Sequence, residues 1–155
     1  MKQSADTSYA DVYRSTDFRQ HPERYVIGRG EQGVLMAEPY KSEILPHWRF
    51  ATPEVARKSA TKIYEMFLQY GRDDDFVGMD MARKFLQMGW TRSRRYANHA
   101  SGNKYDADGK VIAQDPGSEA SVKAESARIF KEYYDRARMD EGYVARKAQW
   151  RKSHT

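Results

Sequence analysis

The segment from Thr52 to Gly71 constrains the fold most, because it carries every signal of a long amphipathic helix. Thr52 is a suitable N-cap, and Pro53 at the first helical position has no N–H group to leave unpaired. Apolar side chains then recur at the spacing that places them on one helix face. They are Ala56, Ala60, Ile63, Phe67 and Tyr70. We therefore predict a helix that begins at Pro53, ends at Gly71 and presents this stripe to a core.

Further helices are predicted closer to the C-terminus, each bounded by a glycine or a capping residue. One spans about 79–88 and is stopped by Gly89, and a short one capped by Thr91 follows from about 92 to 99. A long one, capped by Ser118, extends to about Met139. These three segments and the helix after Thr52 would form most of the core.

Residues 25–38 show a different pattern, because two short apolar runs flank the glycine-rich loop Gly28–Gly33. Glycine permits positive φ, and a glycine-rich loop between apolar runs is typical of a β-hairpin. The expected fold class is therefore α+β and predominantly helical, with a small N-terminal β-hairpin packed on three to four helices.

The length of 155 residues fits one domain. We expect a loosely held arm at 1–24, a single globular domain at 25–142 and a basic C-terminal tail at 143–155. The chain has no cysteine, which excludes disulfides and thiolate metal sites. It shows neither an apolar run of membrane-spanning length nor the apolar stretch of a secretory signal. These features favour a cytoplasmic protein with no membrane partner.

The net charge of +5 favours anionic partners, and the basic residues concentrate between Arg83 and Tyr105. Guanidinium groups bind phosphate through two parallel hydrogen bonds, and aromatic rings stack on bases. The phosphate-binding candidates are Arg83, Arg92, Arg94, Arg95 and Lys104, and the stacking candidates are Trp90, Tyr96 and Tyr105. Alternatively, the aromatic residues belong to the core and the arginines pair with Asp80 and the aspartates at 73–75.

Two helices joined at Gly89–Thr91 have the outline of a helix-turn-helix, but the turn and the second helix are too short for one. The segment is better interpreted as one wall of an anion site whose other wall is the Gly28–Gly33 loop. Arg29, held between two glycines, would close that site. The loop spacing matches neither a dinucleotide fingerprint nor a P-loop, so a purely conformational role for its glycines stays open.

Catalytic residues are only weakly indicated. Glu31 and His99 are the candidates for a general base. Carboxylates near Lys41 and His47 could hold a metal ion with the aspartates at 73–75, yet no required spacing is met. We therefore expect no metal site and no cofactor.

Several sequence blocks between about Tyr25 and Tyr105 together resemble a known family. The blocks are GRGEQGVL at 28–35, EPYKS at 38–42, WRF at 48–50, DFVG at 75–78, DMARKFL at 80–86, TR at 91–92 and RRYANH at 94–99. They resemble a small family of bacterial and viral proteins filed as a domain of unknown function. The resemblance implies a bacterial or phage setting and lends no catalytic residues.

The expected function is a non-enzymatic binding module for an anionic ligand, with nucleic acid first and a nucleotide second. One alternative is a small enzyme acting on a phosphorylated or nucleotide substrate, with His99 or Glu31 as base and the arginines as clamp. Another is a phage or bacterial protein–protein interaction or inhibitor module, whose partner is a host or viral protein. A deep shared pocket would favour the enzyme, an extended basic face the polyanion binder, and an exposed apolar patch the interaction module.

Overall fold

The computed structural model describes residues 11–28, 30–98 and 121–153, and this part of the chain is all-α. A short helix α1 covers residues 11–15. It is followed by α2 (Tyr40–Ile44), α3 (Pro53–Arg72), α4 (Phe76–Asn98), α5 (Val122–Met139) and α6 (Glu141–Ser153). Two 3-10 turns, Pro22–Arg24 and Leu45–His47, lie in the connections. Among the described residues, the extended pairing is limited to one isolated bridge between Asp17 and Glu38.

The helix predicted after Thr52 is confirmed as α3. The Thr52 side chain accepts a hydrogen bond from the Val55 N–H at 3.2 Å, and Pro53 occupies the first turn. The whole predicted apolar stripe is buried. The helix continues one residue beyond Gly71, because the Asp73 N–H still donates to the Gln69 carbonyl.

The two helices predicted on either side of Gly89 are in fact one continuous helix, α4. Gly89 does not stop it, because its role is to let α5 approach: a Cβ at this position would collide with the ring of Phe130. Thr91 caps nothing, and its hydroxyl instead donates to the Glu31 carboxylate at 2.7 Å. Without a turn at Gly89, the segment has no helix-turn-helix, in agreement with the rejection of that motif on spacing.

The predicted N-terminal β-hairpin is also wrong, and with it the α+β fold class. Residues 30–36 form successive turns, closed by hydrogen bonds such as that from the Met36 N–H to the Gly33 carbonyl at 3.0 Å. Gly33 has a φ of +82° and lies against the ring of Tyr13, where a Cβ would have no room. Apolar residues on both sides, such as Tyr25 and Val34, are buried in the core instead of pairing as strands.

The core lies between α3, α4 and α5, which pack along their lengths. α5 begins at Val122, where the Ser121 hydroxyl accepts a hydrogen bond from the Ala124 N–H; the predicted cap Ser118 lies outside the described residues. α6 closes one side through Tyr143, which is 1% exposed, and through Trp150, whose indole N–H donates to the Tyr25 carbonyl at 3.0 Å. Among the described helices, none combines the length and the apolar character that crossing a membrane requires.

Candidate anion-binding cleft

A buried carboxylate, Asp80, organises the polar part of the core. Its side chain has no exposed surface. It accepts hydrogen bonds from the Tyr143 hydroxyl at 2.6 Å, from Arg83 Nη2 at 2.7 Å and from the Tyr25 hydroxyl. Each carboxylate oxygen therefore has at least one hydrogen-bond donor. These hydrogen bonds offset the cost of burying the charge of Asp80.

Arg83 and Lys84 supply the opposite charge on the same face of α4. Arg83 also donates from Nε to the Tyr143 hydroxyl at 3.1 Å, and from Nη1 to Gln87 and to the Gly30 carbonyl. The ammonium of Lys84 donates to the Gln32 carbonyl at 2.7 Å and lies 3.9 Å from Asp80. Arg83 and Lys84 thus tie α4 to the glycine-rich loop, and the Tyr143 hydroxyl ties α6 to Asp80 and Arg83.

The pKa values of this network follow from burial and from the pairing of its charges. Burial opposes ionisation of Asp80, but Arg83 and Lys84 outweigh it and hold the Asp80 pKa below its ordinary value. Burial lowers the pKa of Lys84 to about 8, although Asp80 acts in the opposite direction. Burial and the neighbouring carboxylate both raise the pKa of the Tyr25 and Tyr143 hydroxyls. At neutral pH the network therefore holds one anion, two cations and two neutral phenols.

A cleft of about 350 Å³ opens beside this network, between α4, α5 and α6. We call it the basic cleft. Its lining consists of Arg83, Tyr134, Arg138, Tyr143, Val144, Lys147, Ala148 and Arg151. The buried side chains of Arg83 and Tyr143 form the floor, and more exposed residues of α5 and α6 form the walls. Tyr143, Lys147 and Arg151 recur every four residues and so follow one face of α6.

The four cations of the basic cleft outnumber the carboxylates that contact them. Asp80 pairs with Arg83, and Asp135 pairs with Arg138 at 2.9 Å while also binding Lys131. Lys147 and Arg151 form no ion pair with any carboxylate in the described ranges. Burial, reinforced by Arg83 and Arg151 and opposed by Asp80, lowers the pKa of Lys147. The cleft therefore carries an uncompensated positive charge, which is the electrostatic requirement of an anion site.

The structure places the Gly28–Gly33 loop against α4, as the two-wall hypothesis requires, but through carbonyl groups. The Gly30 and Gln32 carbonyls accept from Arg83 and Lys84, and Glu31 accepts from Thr91. These contacts fasten the loop to the helix and direct no N–H group towards an anion. Glu31 is therefore engaged by a neutral hydroxyl, with no histidine or lysine paired to it in the described part of the chain.

The other described site candidates do not line the basic cleft, although Trp90 packs behind one of its walls. The ring of Trp90 stacks on Tyr134 at 5.7 Å, and Tyr96 lies 6.2 Å from the Phe50 ring. Thirteen residues separate Arg83 from Tyr96 on α4, which corresponds to about 20 Å along the axis. The side chains of Arg92 and Arg94 are half-buried, and that of Arg95 is exposed. Four predicted site residues lie outside the described residues: Arg29, His99, Lys104 and Tyr105.

Within the described ranges, histidines and carboxylates do not gather in threes as metal ligands. Glu43 and Asp75 do come together, but Arg19 lies between them. Its guanidinium binds both Glu43 oxygens, at 2.7 and 2.8 Å, and its Nε lies 3.6 Å from Asp75. Two of the carboxylates considered for a metal ion, Glu43 and Asp75, thus contact an arginine instead.

Sequence reasoning assigned Arg83 to an anion site, placed Lys147 and Arg151 only in the basic C-terminal tail, and did not single out Arg138. The four-residue spacing of Tyr143, Lys147 and Arg151 was the available signal. It indicates one face of a helix with a buried tyrosine at one end and two cations beyond it. Lys147 and Arg151 face Arg83 because α6 packs on α4. The spacing of residues along the sequence does not predict such long-range packing.

Comparisons with known proteins agree with the resemblance noted in the sequence blocks. No curated protein and no solved structure matches the chain. The model of a protein family, described as Domain of unknown function (DUF4385), matches residues 8–153. This match extends beyond the blocks at 25–105 to both ends, and so includes α6 and every residue of the basic cleft. The chain therefore belongs to the DUF4385 family.

Proposed function

We propose that this chain is a binding module that takes a phosphate-bearing ligand in the basic cleft. The proposal is based on the cations of the basic cleft that lack a described carboxylate partner. Lys147 and Arg151 face a concave site with the Arg83 guanidinium at its floor, and no described carboxylate neutralises them. A compact phosphorylated molecule of nucleotide size is the first candidate, and a nucleic-acid strand is the second.

The charge balance favours a dianion. Asp80 is shared by Arg83 and Lys84, and Asp135 by Arg138 and Lys131, while the positive charges of Lys147 and Arg151 have no described carboxylate partner. A phosphate monoester carries between one and two negative charges at neutral pH. Its oxygens accept several hydrogen bonds at once. Lys147 and Arg151 on the wall of the basic cleft and Arg83 at its floor can donate them.

The floor of the basic cleft is held in place before any ligand arrives. Arg83 is fixed by Asp80, the Tyr143 hydroxyl and Gln87, all on packed helices. A preorganised donor loses little conformational entropy on binding, so most of its interaction energy contributes to affinity. The side chain of Arg95, by contrast, is exposed and has no described hydrogen bond of this kind.

The shape of the basic cleft favours a compact ligand over a strand. A volume of about 350 Å³ is at the lower end of small-molecule sites, whereas a polyanion binder needs an extended basic face. A nucleic acid could still place one phosphate in the cleft, and that binding would show a steep salt dependence.

Calorimetric titration at low salt tests the proposal with two probes, adenosine monophosphate and a short single-stranded oligonucleotide. The test variant combines Lys147→Ala with Arg151→Ala. The matched control combines Lys58→Ala with Lys62→Ala, which removes two exposed lysines at the same four-residue spacing on α3. We expect the test variant to weaken binding at least about tenfold, or ~1.4 kcal/mol, and the control to bind like the parent chain.

Two results would contradict the proposal. One is the absence of binding for both probes at low salt. The other is an equal loss of affinity in both double variants, which would mean that net charge and not the basic cleft attracts the anion.

A further inference from the structure

A second concave surface lies at the other end of α4, and its character is different. It opens between the Leu45–His47 turn, residues 48–51, the end of α4 and the start of α5, with a volume of about 920 Å³. We call it the aromatic groove. Its apolar lining includes Leu45, Pro46, Trp48, Phe50 and Tyr96. It is wide and open, whereas the basic cleft is narrow and has a charged floor.

The aromatic side chains of this groove are held rigidly. The Trp48 indole N–H donates to the Phe85 carbonyl at 3.1 Å, which fixes the ring against α4. Phe50 lies edge-on to Trp48 at 5.1 Å and contacts Tyr96 at 6.2 Å. Tyr96 is still 42% exposed. The groove therefore offers preformed apolar contact area to a partner.

Two cations, Arg49 and Lys123, form the rim of the aromatic groove. Arg49 Nη1 donates to the carbonyls of Leu45 and Trp48, and Lys123 donates to those of Phe50 and Ala51. Neither forms an ion pair with a described carboxylate, and the lining contains no acidic residue. These contacts orient both cations, and no carboxylate in the described part of the chain opposes their charge.

We infer that the aromatic groove docks an acidic peptide segment of another protein, one that carries aromatic or proline side chains. Charge complementarity selects the partner: Arg49 and Lys123 attract carboxylates, and the Trp48–Phe50–Tyr96 floor accepts the apolar side chains between them. Tryptophan, tyrosine and arginine are the residues that dominate the energy of protein interfaces. Pro46 and the adjoining aromatic rings also suit extended proline-containing peptides.

A stacked nucleobase fits this groove less well. Phe50 has Trp48 on one side, the Lys123 ammonium 5.4 Å from its ring, and Tyr96 beyond. Its ring therefore has three close neighbours, whereas base stacking needs a free aromatic face. The inference does not depend on the phosphate proposal, because the basic cleft lies about 20 Å away along α4.

The test is to pan a random peptide library, displayed on phage, against the purified chain. Enriched peptides are then synthesised and their affinities measured by fluorescence anisotropy. The test variants are Arg49→Glu combined with Lys123→Glu, and separately Tyr96→Ala. The Lys147→Ala with Arg151→Ala variant serves as the control, since it removes two charges from the other site.

We expect enriched peptides that combine aspartate or glutamate with aromatic residues or proline. Their affinity should fall at least about tenfold in the charge-reversed variant and several-fold in Tyr96→Ala, and stay unchanged in the basic-cleft control. Enrichment of peptides without acidic residues, no enrichment at all, or equal binding by the charge-reversed variant would overturn the inference. So would a dimer of the chain that Tyr96→Ala dissociates, because the groove would then be occupied by a second copy.

Discussion

The two halves of α4 carry charges of similar density but use them differently. In the first half, Asp80, Arg83 and Lys84 are buried and satisfied by one another and by the glycine-rich loop. In the second half, Arg92 is only half-buried and Arg95 is exposed. Burial and packing therefore decide the role of a basic residue on α4. Of these arginines, Arg83 both stabilises the fold and lines the basic cleft.

The largest expected effect is that of removing the buried anion. Asp80→Asn would leave Arg83 and Lys84 buried without a compensating charge, so we expect a loss of roughly 3–5 kcal/mol in the free energy of unfolding. Urea denaturation measures it. Glu65→Gln, at an exposed position on α3, is the matched control and should change stability by less than about 0.5 kcal/mol. If both variants lost equally little free energy of unfolding, the stability of the chain would not depend on the buried charges in the first half of α4.

A smaller effect is expected at Gly89, the boundary between the two halves. Gly89→Ala places a methyl group against the Phe130 ring, so we expect a loss of about 1–3 kcal/mol despite the better helix propensity of alanine. Gly142→Ala is the control, because its methyl group would meet only the flexible end of Arg146 and the Asp140 carboxylate, at 3.1 and 3.2 Å. Thermal unfolding compares the two. A Gly89→Ala variant as stable as Gly142→Ala would contradict the close approach of α5.

Lys84 gives the buried half a dependence on pH. Its pKa is about 8 when folded and 10.5 ordinarily, so between these values the unfolded chain holds a proton that the folded chain has released. Stability therefore rises with pH across this window, by about 1–2 kcal/mol up to pH 9.5. Above about pH 10 it falls, because Tyr25 and Tyr143 have raised pKa values and only the unfolded chain loses their protons.

Urea denaturation at a series of pH values measures this profile. In Lys84→Met the rise should shrink to the small part that Lys147 contributes, since burial lowers the pKa of Lys147 in the same direction. A parent chain whose stability declines steadily from pH 8 would show that Lys84 is not held at a depressed pKa.

The smallest effect is expected in the exposed half. Arg95→Ala removes an exposed cation with no described ion pair, so the free energy of unfolding should change by less than about 0.5 kcal/mol. Urea denaturation of Arg95→Ala and Asp80→Asn under the same conditions compares their free energies of unfolding. A loss above about 1 kcal/mol would mean that the two halves do not differ as described.

Local signals in the sequence were sufficient where local physics decides the structure. Thr52, Pro53 and the apolar stripe predicted α3 because capping and helical period act within a few residues. Gly89 was wrongly predicted to end a helix, because its closest contact, Phe130, lies on a different helix. The glycine-rich loop misled for a similar reason: Gly33 needs its positive φ to lie against Tyr13, not to turn a hairpin.

The site was predictable only in part. Arg83 could be chosen from its charge, but its partners Asp80 and Tyr143 lie 3 and 60 residues away, and only the first is local. Lys147 and Arg151 share a face of α6, yet their meeting with Arg83 arises from how α6 packs on α4 through Tyr143. The pattern of charges thus identified Arg83 as a site residue, placed Lys147 and Arg151 only in a basic C-terminal tail, and did not single out Arg138.

The most direct test of the basic cleft is heteronuclear NMR of the labelled chain during titration with adenosine monophosphate. We expect the Arg83 Nε–H signal and the amides around Tyr143, Lys147 and Arg151 to shift in a saturable manner, while the Trp48 indole signal stays in place. Saturable shifts centred on 92–96 and the Trp48 indole, or no shift at the Arg83 side chain, would contradict a phosphate site between α4, α5 and α6.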